Sequence, residues 1–343
     1  MVNPDLCHEL RWKAMKPALS EWKEGVSYKE WKEEIRAKFV ALTGLDKIAQ
    51  NACPLNFQIE KEEKKDGYKQ IRFTFNSEIG ETVPCYLLIP DAGKEKYPVA
   101  ITMQGHSSGF HNSISEPKNE NEIEYACGRG AFAVQAVKNG YIALAIEQRG
   151  MGERLTKLES RGAGQLCRHA SMRALLLGRT ILGERIWDIH KAIDVLGEYF
   201  PQCDMDKILI TGNSGGGTIS YYAACFDERI KLSAPSCAFC PYPESILDIL
   251  HCNCNYIPHA FESFDMQDLS CLIAPRKLLV VAGIDDPIFP IAGVKRGFER
   301  VKEIFVENGV AENCRLEITP KAHWWCEDIV WSAINEETQK LGW

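Results

Sequence analysis

Ile208-Leu209-Ile210-Thr211-Gly212-Asn213-Ser214-Gly215-Gly216-Gly217-Thr218 is the stretch whose reading decides the fold: an apolar run meets a G-x-S-x-G pattern and then a helix-like segment over 219–225. The order is strand, sharp turn, helix. A serine at such a turn has a strained backbone, and the residues two positions to either side must be small, or their side chains would strike the strand and the helix. Gly212 and Gly216 meet that need. The turn lifts the Ser214 hydroxyl above the sheet, within reach of a histidine, and aims the amide of Gly215 at the place where an oxyanion would form. A glycine-rich connection without catalysis can carry the same spelling. The reading therefore turns on whether an acid and then a histidine follow, each on a loop after a later strand.

Around the elbow, residues 99–103, 141–146, 207–211, 230–234 and 277–282 are short, nearly continuous apolar runs, most of them separated by helical segments. Buried parallel strands have this character, and 315–319 would be the last of them. Residues 68–75 and 82–89, joined by Asn76-Ser77-Glu78-Ile79-Gly80, read as an antiparallel hairpin that Pro90 ends. The expectation is an α/β chain with a mostly parallel eight-stranded sheet flanked by helices and the elbow after the fifth strand. Those are the count and the placement of the α/β-hydrolase fold. In such a sheet ligands bind at the carboxyl ends of the strands.

The third strand is followed by Gln104-Gly105-His106-Ser107-Ser108-Gly109. The amide of His106 is assigned to the oxyanion hole beside that of Gly215, and its side chain is read as a loop histidine without a catalytic part. The seventh is followed by Gly283-Ile284-Asp285-Asp286-Pro287-Ile288-Phe289-Pro290, where one of two adjacent carboxylates would orient the catalytic imidazole. The eighth leads to Lys321-Ala322-His323-Trp324, and His323 is the one histidine of eight on the C-terminal side of the acidic loop. Arg149, in Glu147-Gln148-Arg149-Gly150-Met151-Gly152-Glu153 after the fourth strand, is read as structural support.

Cys237, Cys240, His251, Cys252, Cys254 and His259 crowd one segment and raise the question of zinc. Their C-x-x-C and H-C-x-C spacings match no standard ligand set, and a serine, an acid and a histidine need no metal. No metal and no cofactor is expected, and 236–270 is read as a pocket-lining insertion.

The chain has 343 residues, 45% apolar and 25% charged, which suits one large domain with additions. Its formal charge of −7 argues against nucleic acid or an anionic membrane as partner. Charges within residues 1–12 interrupt what a signal peptide would need to be apolar, so a cytoplasmic protein with reduced, mostly buried thiols among its fourteen cysteines is expected. Ser27-Tyr28-Lys29-Glu30 is a capping box, followed by Trp31, Ile35, Phe39 and Leu42 at helical spacing and by Gly44 as a left-handed stop. Residues 1–65 are read as a helical extension whose Trp12, Trp22 and Trp31 pack on the domain of residues 66–343.

These motifs together resemble the acetyl xylan esterase and cephalosporin C deacetylase group of α/β-hydrolases and related bacterial carbohydrate esterases. Arg149-Gly150-Met151-Gly152 is similar to that group's R-G-Q-G, with Met151 for Gln; Gly212-Asn213-Ser214-Gly215-Gly216 is similar to its G-x-S-Q-G, with Gly215 for Gln. Its G-x-x-D-x-x-x-P loop resembles 283–290 and places the acid on Asp286. Arg179-Thr180 to Asp188, with Ala192-Ile193-Asp194, is similar to the helix before the elbow strand in the related esterases, and His323 is followed by Trp324 where the family commonly has Glu. The resemblance implies a serine esterase acting through an acyl-enzyme on small acyl esters, acetyl first, of a small molecule or oligosaccharide, with Ser214, Asp286 and His323 as the catalytic residues. A homo-oligomer stays open. The alternatives carried with it are a serine peptidase of the prolyl-oligopeptidase type and a silent binding protein on a hydrolase scaffold.

Overall fold

The structure is a computed structural model that describes residues 3–20, 25–162 and 167–343, so Trp22 lies outside the described residues. Three helices open the chain: α1 (Leu6–Ala14), α2 (Tyr28–Thr43) and α3 (Leu45–Ala49). In α2 the capping box forms as its spelling predicts. The Ser27 hydroxyl accepts the Glu30 amide, the Glu30 carboxylate takes the Ser27 amide at 2.9 Å, and Gly44 closes the helix at φ 75°. Trp31, Ile35 and Phe39 are all fully or almost fully buried, one turn apart on one face. Phe39 stacks on Tyr222 at 6.0 Å, and the Trp31 indole donates to the Leu19 carbonyl at 2.8 Å. Emptying the Trp31 site would cost about 3–5 kcal/mol.

The remaining elements alternate. They are β1 (Gln58–Lys65), β2 (Tyr68–Glu78), β3 (Glu81–Pro90), β4 (Tyr97–Met103), α4 (Ile123–Ala126), α5 (Phe132–Lys138), β5 (Ile142–Ile146), α6 (Arg168–Leu176), α7 (Ile181–Tyr199) and β6 (Cys203–Asn213). After them come α8 (Gly215–Phe226), β7 (Ile230–Ser236), α9 (Ala260–Ser263), β8 (Lys277–Gly283), α10 (Ile291–Glu307), β9 (Cys314–Thr319) and α11 (Glu327–Lys340). The sheet runs β1-β2-β3-β5-β4-β6-β7-β8-β9, antiparallel through β3 and parallel from β5 to β9. This is the α/β-hydrolase fold.

Among the described residues nine strands replace the eight expected, because β1 lies in residues read as part of the helical extension. Its sequence, Gln-Ile-Glu-Lys-Glu-Glu-Lys-Lys, has no apolar alternation to betray a strand. It is an edge strand, exposed for most of its length, and charges there discourage pairing with other chains. The helical part of the extension therefore ends at α3.

The buried strands carry two faces. Val99, Ile101, Ile208 and Ile210 join the cluster that holds α7, α8 and α10, whereas Ala100 and Leu209 join the one that holds α5 and α11. Two-residue alternation on a continuous apolar run produces this division. Strand order reverses at β4: the chain leaves it for β5 on one side and reaches β6 on the other. The loops after β4 and β6 therefore part from each other, and the crevice between them is where an open α/β sheet binds its ligand.

Candidate active site

Ser214 stands at the end of β6 with φ 56° and ψ −123°, a region that few non-glycine residues occupy. The backbone around it is crowded. A Cβ on Gly212 would lie 2.2 Å from the Met103 carbonyl oxygen, and one on Gly216 would lie 2.0 Å from the same atom. Both positions are glycine because β4 passes against the elbow. The Ser214 amide bonds the Ser236 carbonyl at 2.9 Å, and its carbonyl accepts the Thr218 amide at 2.8 Å as α8 begins.

Two later strand ends bring the acid and the histidine together. His323 Nδ1 lies 2.8 Å from Asp286 Oδ2, and Asp286 Oδ1 accepts the amides of Ile288 at 2.8 Å and Phe289 at 3.1 Å. An ionised carboxylate only accepts, so Nδ1 donates and Nε2 is left with a free lone pair. Burial pushes the Asp286 carboxyl up, yet the imidazole and the two amides outweigh it and hold the group below the usual carboxylate range. His323 also stacks on Phe289 at 6.0 Å. Asp285, the other carboxylate of the loop, is exposed. Of the two adjacent carboxylates, Asp286 is the one that bonds His323.

Ser214 and His323 share a cavity of about 390 Å³ that is also lined by His106, Tyr125 and Arg129. The Arg129 guanidinium lies over the ring faces of Tyr125 at 5.0 Å and Trp324 at 3.7 Å. Tyr125 and Arg129 were not legible beforehand, since they follow no strand and belong to no motif. None of the residues lining this cavity belongs to 236–270, the segment expected to line the pocket. Tyr256 and Phe261 of that segment line a separate cavity with Trp12 of α1.

The loop after β4 lies against the elbow. A Cβ on Gly105 would be 2.9 Å from the Asn213 carbonyl, and one on Gly215 would be 3.2 Å from His106 Nδ1. Glu147, at the end of β5, pins that loop: it accepts Gln104 Nε2 at 3.0 Å and the Phe110 amide at 3.2 Å, and it also takes the Glu153 amide at 3.2 Å. Gly109 and Gly152 press on its carboxylate so closely that a Cβ on either would collide with it. Burial pushes Glu147 up to about 7 against the donors that favour its charge. Arg149 points elsewhere, into a buried group in which it bonds Asp188 at 2.8 and 2.9 Å and Glu78 at 2.8 Å. Its part is structural support, as the sequence predicts.

The crowded cysteines and histidines of residues 237–259 do not gather in space. Cys237 lies beside the Asp286–His323 pair, where burial and the Asp286 charge push its thiol up to about 12. Cys240 packs against Met266, whose sulfur accepts its amide; His251 bonds Ser245 at 3.0 Å; His259 is exposed. Cys252 and Cys254 alone meet, and they do so with two residues from elsewhere. His106 Nε2 is 3.3 Å from Cys167 Sγ and 3.5 Å from Cys254 Sγ, and the Cys167 and Cys252 sulfurs are 2.9 Å apart. The His106 side chain, read as an idle loop histidine, has its Nε2 in this group.

Among solved structures, an acetyl xylan esterase, provisionally so named, from Bacteroides fragilis NCTC 9343 has a TM-score of 0.79 at 16% identity, covering 98% of this chain and 95% of its own. A glucuronoyl esterase from Solibacter usitatus has a TM-score of 0.67 at 15% identity, covering 95% and 97%. YtaP of Bacillus subtilis (strain 168), provisionally named a hydrolase, is 26% identical over 249 residues, which are 71% of this chain and 78% of its own. The profile of the Abhydrolase family matches residues 8–221, from α1 through the elbow, and the chain belongs to that family.

Proposed function

We propose that the protein is a serine esterase that works through an acyl-enzyme, with a small acyl ester of a carbohydrate, acetyl first, as its substrate. The observation that carries this reading is the shared cavity: a serine at a strained strand-to-helix turn and a histidine already oriented by a buried carboxylate open on the same space. His323 Nε2 takes the proton of Ser214 as Oγ attacks the ester carbonyl, and Asp286 holds the imidazole and supports its positive charge. The amides of Gly215 and His106 receive the developing oxyanion. The tetrahedral centre collapses, the proton passes from His323 to the departing alkoxide, and the alcohol leaves. Water then attacks the acyl-serine with the same proton path and restores Ser214.

The relatives support the choice of bond, since two of the named neighbours are esterases; the one with an acetylated polysaccharide in its name also supports the alcohol, whereas the other's glucuronoyl group is an acyl group. The cavity supports it independently. Its volume suits a compact ligand, and the aromatic Tyr125 with the cationic Arg129 suits a ring rich in hydroxyl groups. Labelling with a fluorophosphonate probe, followed by a panel of acetyl, butyryl and feruloyl esters and acetylated oligosaccharides, tests the reading. Labelling at Ser214 with fastest turnover on acetylated saccharides is expected; absence of labelling would leave a silent scaffold and overturn it.

A further inference from the structure

We propose that His106, Cys167, Cys252 and Cys254 form a closed, structural zinc site behind the candidate oxyanion loop. The four come from three places: the loop after β4, the residue before α6, and the segment between β7 and β8, which gives two of them. Their ligand atoms nevertheless all lie within 4.8 Å of one another. Three cysteines and one histidine are a standard tetrahedral donor set for zinc, with bonds of about 2.3 Å to sulfur and about 2.0–2.1 Å to nitrogen. Tetrahedral edges built from those bonds are about 3.5 Å for N···S and about 3.8 Å for S···S. The His106 distances, 3.3 and 3.5 Å, already match. The Cys167–Cys252 pair at 2.9 Å would have to open by about 0.9 Å to reach that edge, and a disulfide would require it to close by about as much, to about 2.05 Å.

The surroundings suit three thiolates. Arg185 is buried beside the group, in contact with Cys254, and directs its Nε and Nη2 at the Arg149 carbonyl at 3.1 and 2.6 Å. Zinc with three thiolates carries one negative charge, and Arg185 cancels it inside the protein. Cys167 also holds the N-cap position of the nine-residue α6, and a helix amino end favours a thiolate. The backbone is bent to bring Cys167 there: its φ is 57°, and Gly150 approaches so closely that a Cβ on it would sit 2.7 Å from the Cys167 Cα. A left-handed cysteine set against a glycine is a costly arrangement for a merely buried thiol.

Four protein ligands leave no coordination position for water or substrate, so this zinc activates nothing. It ties α6 and the segment between β7 and β8 to His106, and His106 to the elbow. With Nε2 on the metal, the ring proton stays on Nδ1, the nitrogen near Gly215. The linear arrangement misleads because Cys252-Asn253-Cys254 supplies only half of the set, and its other members lie more than eighty residues earlier.

The test uses the full chain, grown with zinc and purified under reducing conditions without chelator. Elemental analysis is expected to find about one zinc per chain. Replacement by cobalt(II) is expected to give thiolate-to-cobalt charge-transfer absorption together with tetrahedral d–d bands. Cys252→Ser and Cys254→Ser should lose both the metal and the absorption, whereas Cys326→Ser should keep them. Should either variant fail to fold, the wild-type cobalt spectrum decides. A wild-type chain that holds no zinc even after titration with the metal overturns the site, and so does an intact mass lacking two hydrogens from a Cys167–Cys252 disulfide. None of these readouts uses ester hydrolysis, so a zinc protein without esterase activity would sink the proposed function and leave the site standing.

Discussion

Two histidines flank Ser214, and their partners give them opposite fates. His323 is held through Nδ1 by the carboxylate of Asp286, which leaves Nε2 able to take a proton. His106 is held through Nε2 by sulfur, and its Nδ1 faces Gly215. Both line the same cavity. Being near the nucleophile therefore does not make a histidine a base. What decides is which nitrogen the protein occupies and with what: a carboxylate on Nδ1 leaves Nε2 open to a proton, whereas a thiol cluster on Nε2 takes that nitrogen out of the competition.

The sharpest way to break this comparison is to remove the groups on the His323 side. Ser214→Ala should lower kcat by about 10⁴ to 10⁶ while leaving the circular dichroism spectrum intact, because nucleophile and base act as a unit. A variant that kept a tenth of the rate would take Ser214 out of the mechanism. Asp286→Asn should cost about 10³ to 10⁴ in kcat, whereas Asp285→Asn, on an exposed side chain, should cost less than about tenfold. The reverse order would move the orienting acid by one residue.

On the other side the expected effects are smaller and of another kind. His106→Ala keeps the backbone amide and removes only the ring that anchors its loop, so kcat should fall about 10- to 100-fold with no change in the shape of the pH profile. A loss as large as that of His323→Ala would mean that His106 transfers protons.

The loop's second anchor is read as stability against pH. Glu147 has its folded pKa raised to about 7, above the ordinary value of about 4.3 for an unfolded chain. The folded state then binds the proton more tightly. Its contribution is fully present below about pH 4.3 and is lost as pH rises toward 7, by about 4 kcal/mol in total. Glu147→Gln should flatten that part of the profile in urea titrations at successive pH values. An unchanged slope would place the titrating group elsewhere.

The elbow, the acid loop and the histidine loop were legible in the amino-acid sequence because each is local: a few consecutive residues after an apolar run, in a fixed order along the chain. The glycines at 212 and 216 announce the close passage of β4, and Gly283-Ile284-Asp285-Asp286 announces a carboxylate at a strand end. Even so, the residues by themselves left Asp285 and Asp286 level, and the resemblance to known esterases favoured Asp286. The structure separates them by burial and by the bond to His323. β1 was hidden because an edge strand can be made of charge, with register and hydrogen bonds supplied by its neighbour.

What the sequence determined unaided is the succession of strands from β2 onward and which residues stand at their carboxyl ends, since strand periodicity and turn geometry are properties of neighbouring residues. What only the tertiary structure decided is assembly across distance. It set Arg129 over Tyr125 and Trp324, turned Arg149 into a buried ion group, and dispersed the crowded cysteines of 237–259 while joining Cys252 and Cys254 to Cys167 and His106. Proximity along a chain says little about which thiols will face one another, because the path between them is set by the packing of the whole sheet and its helices.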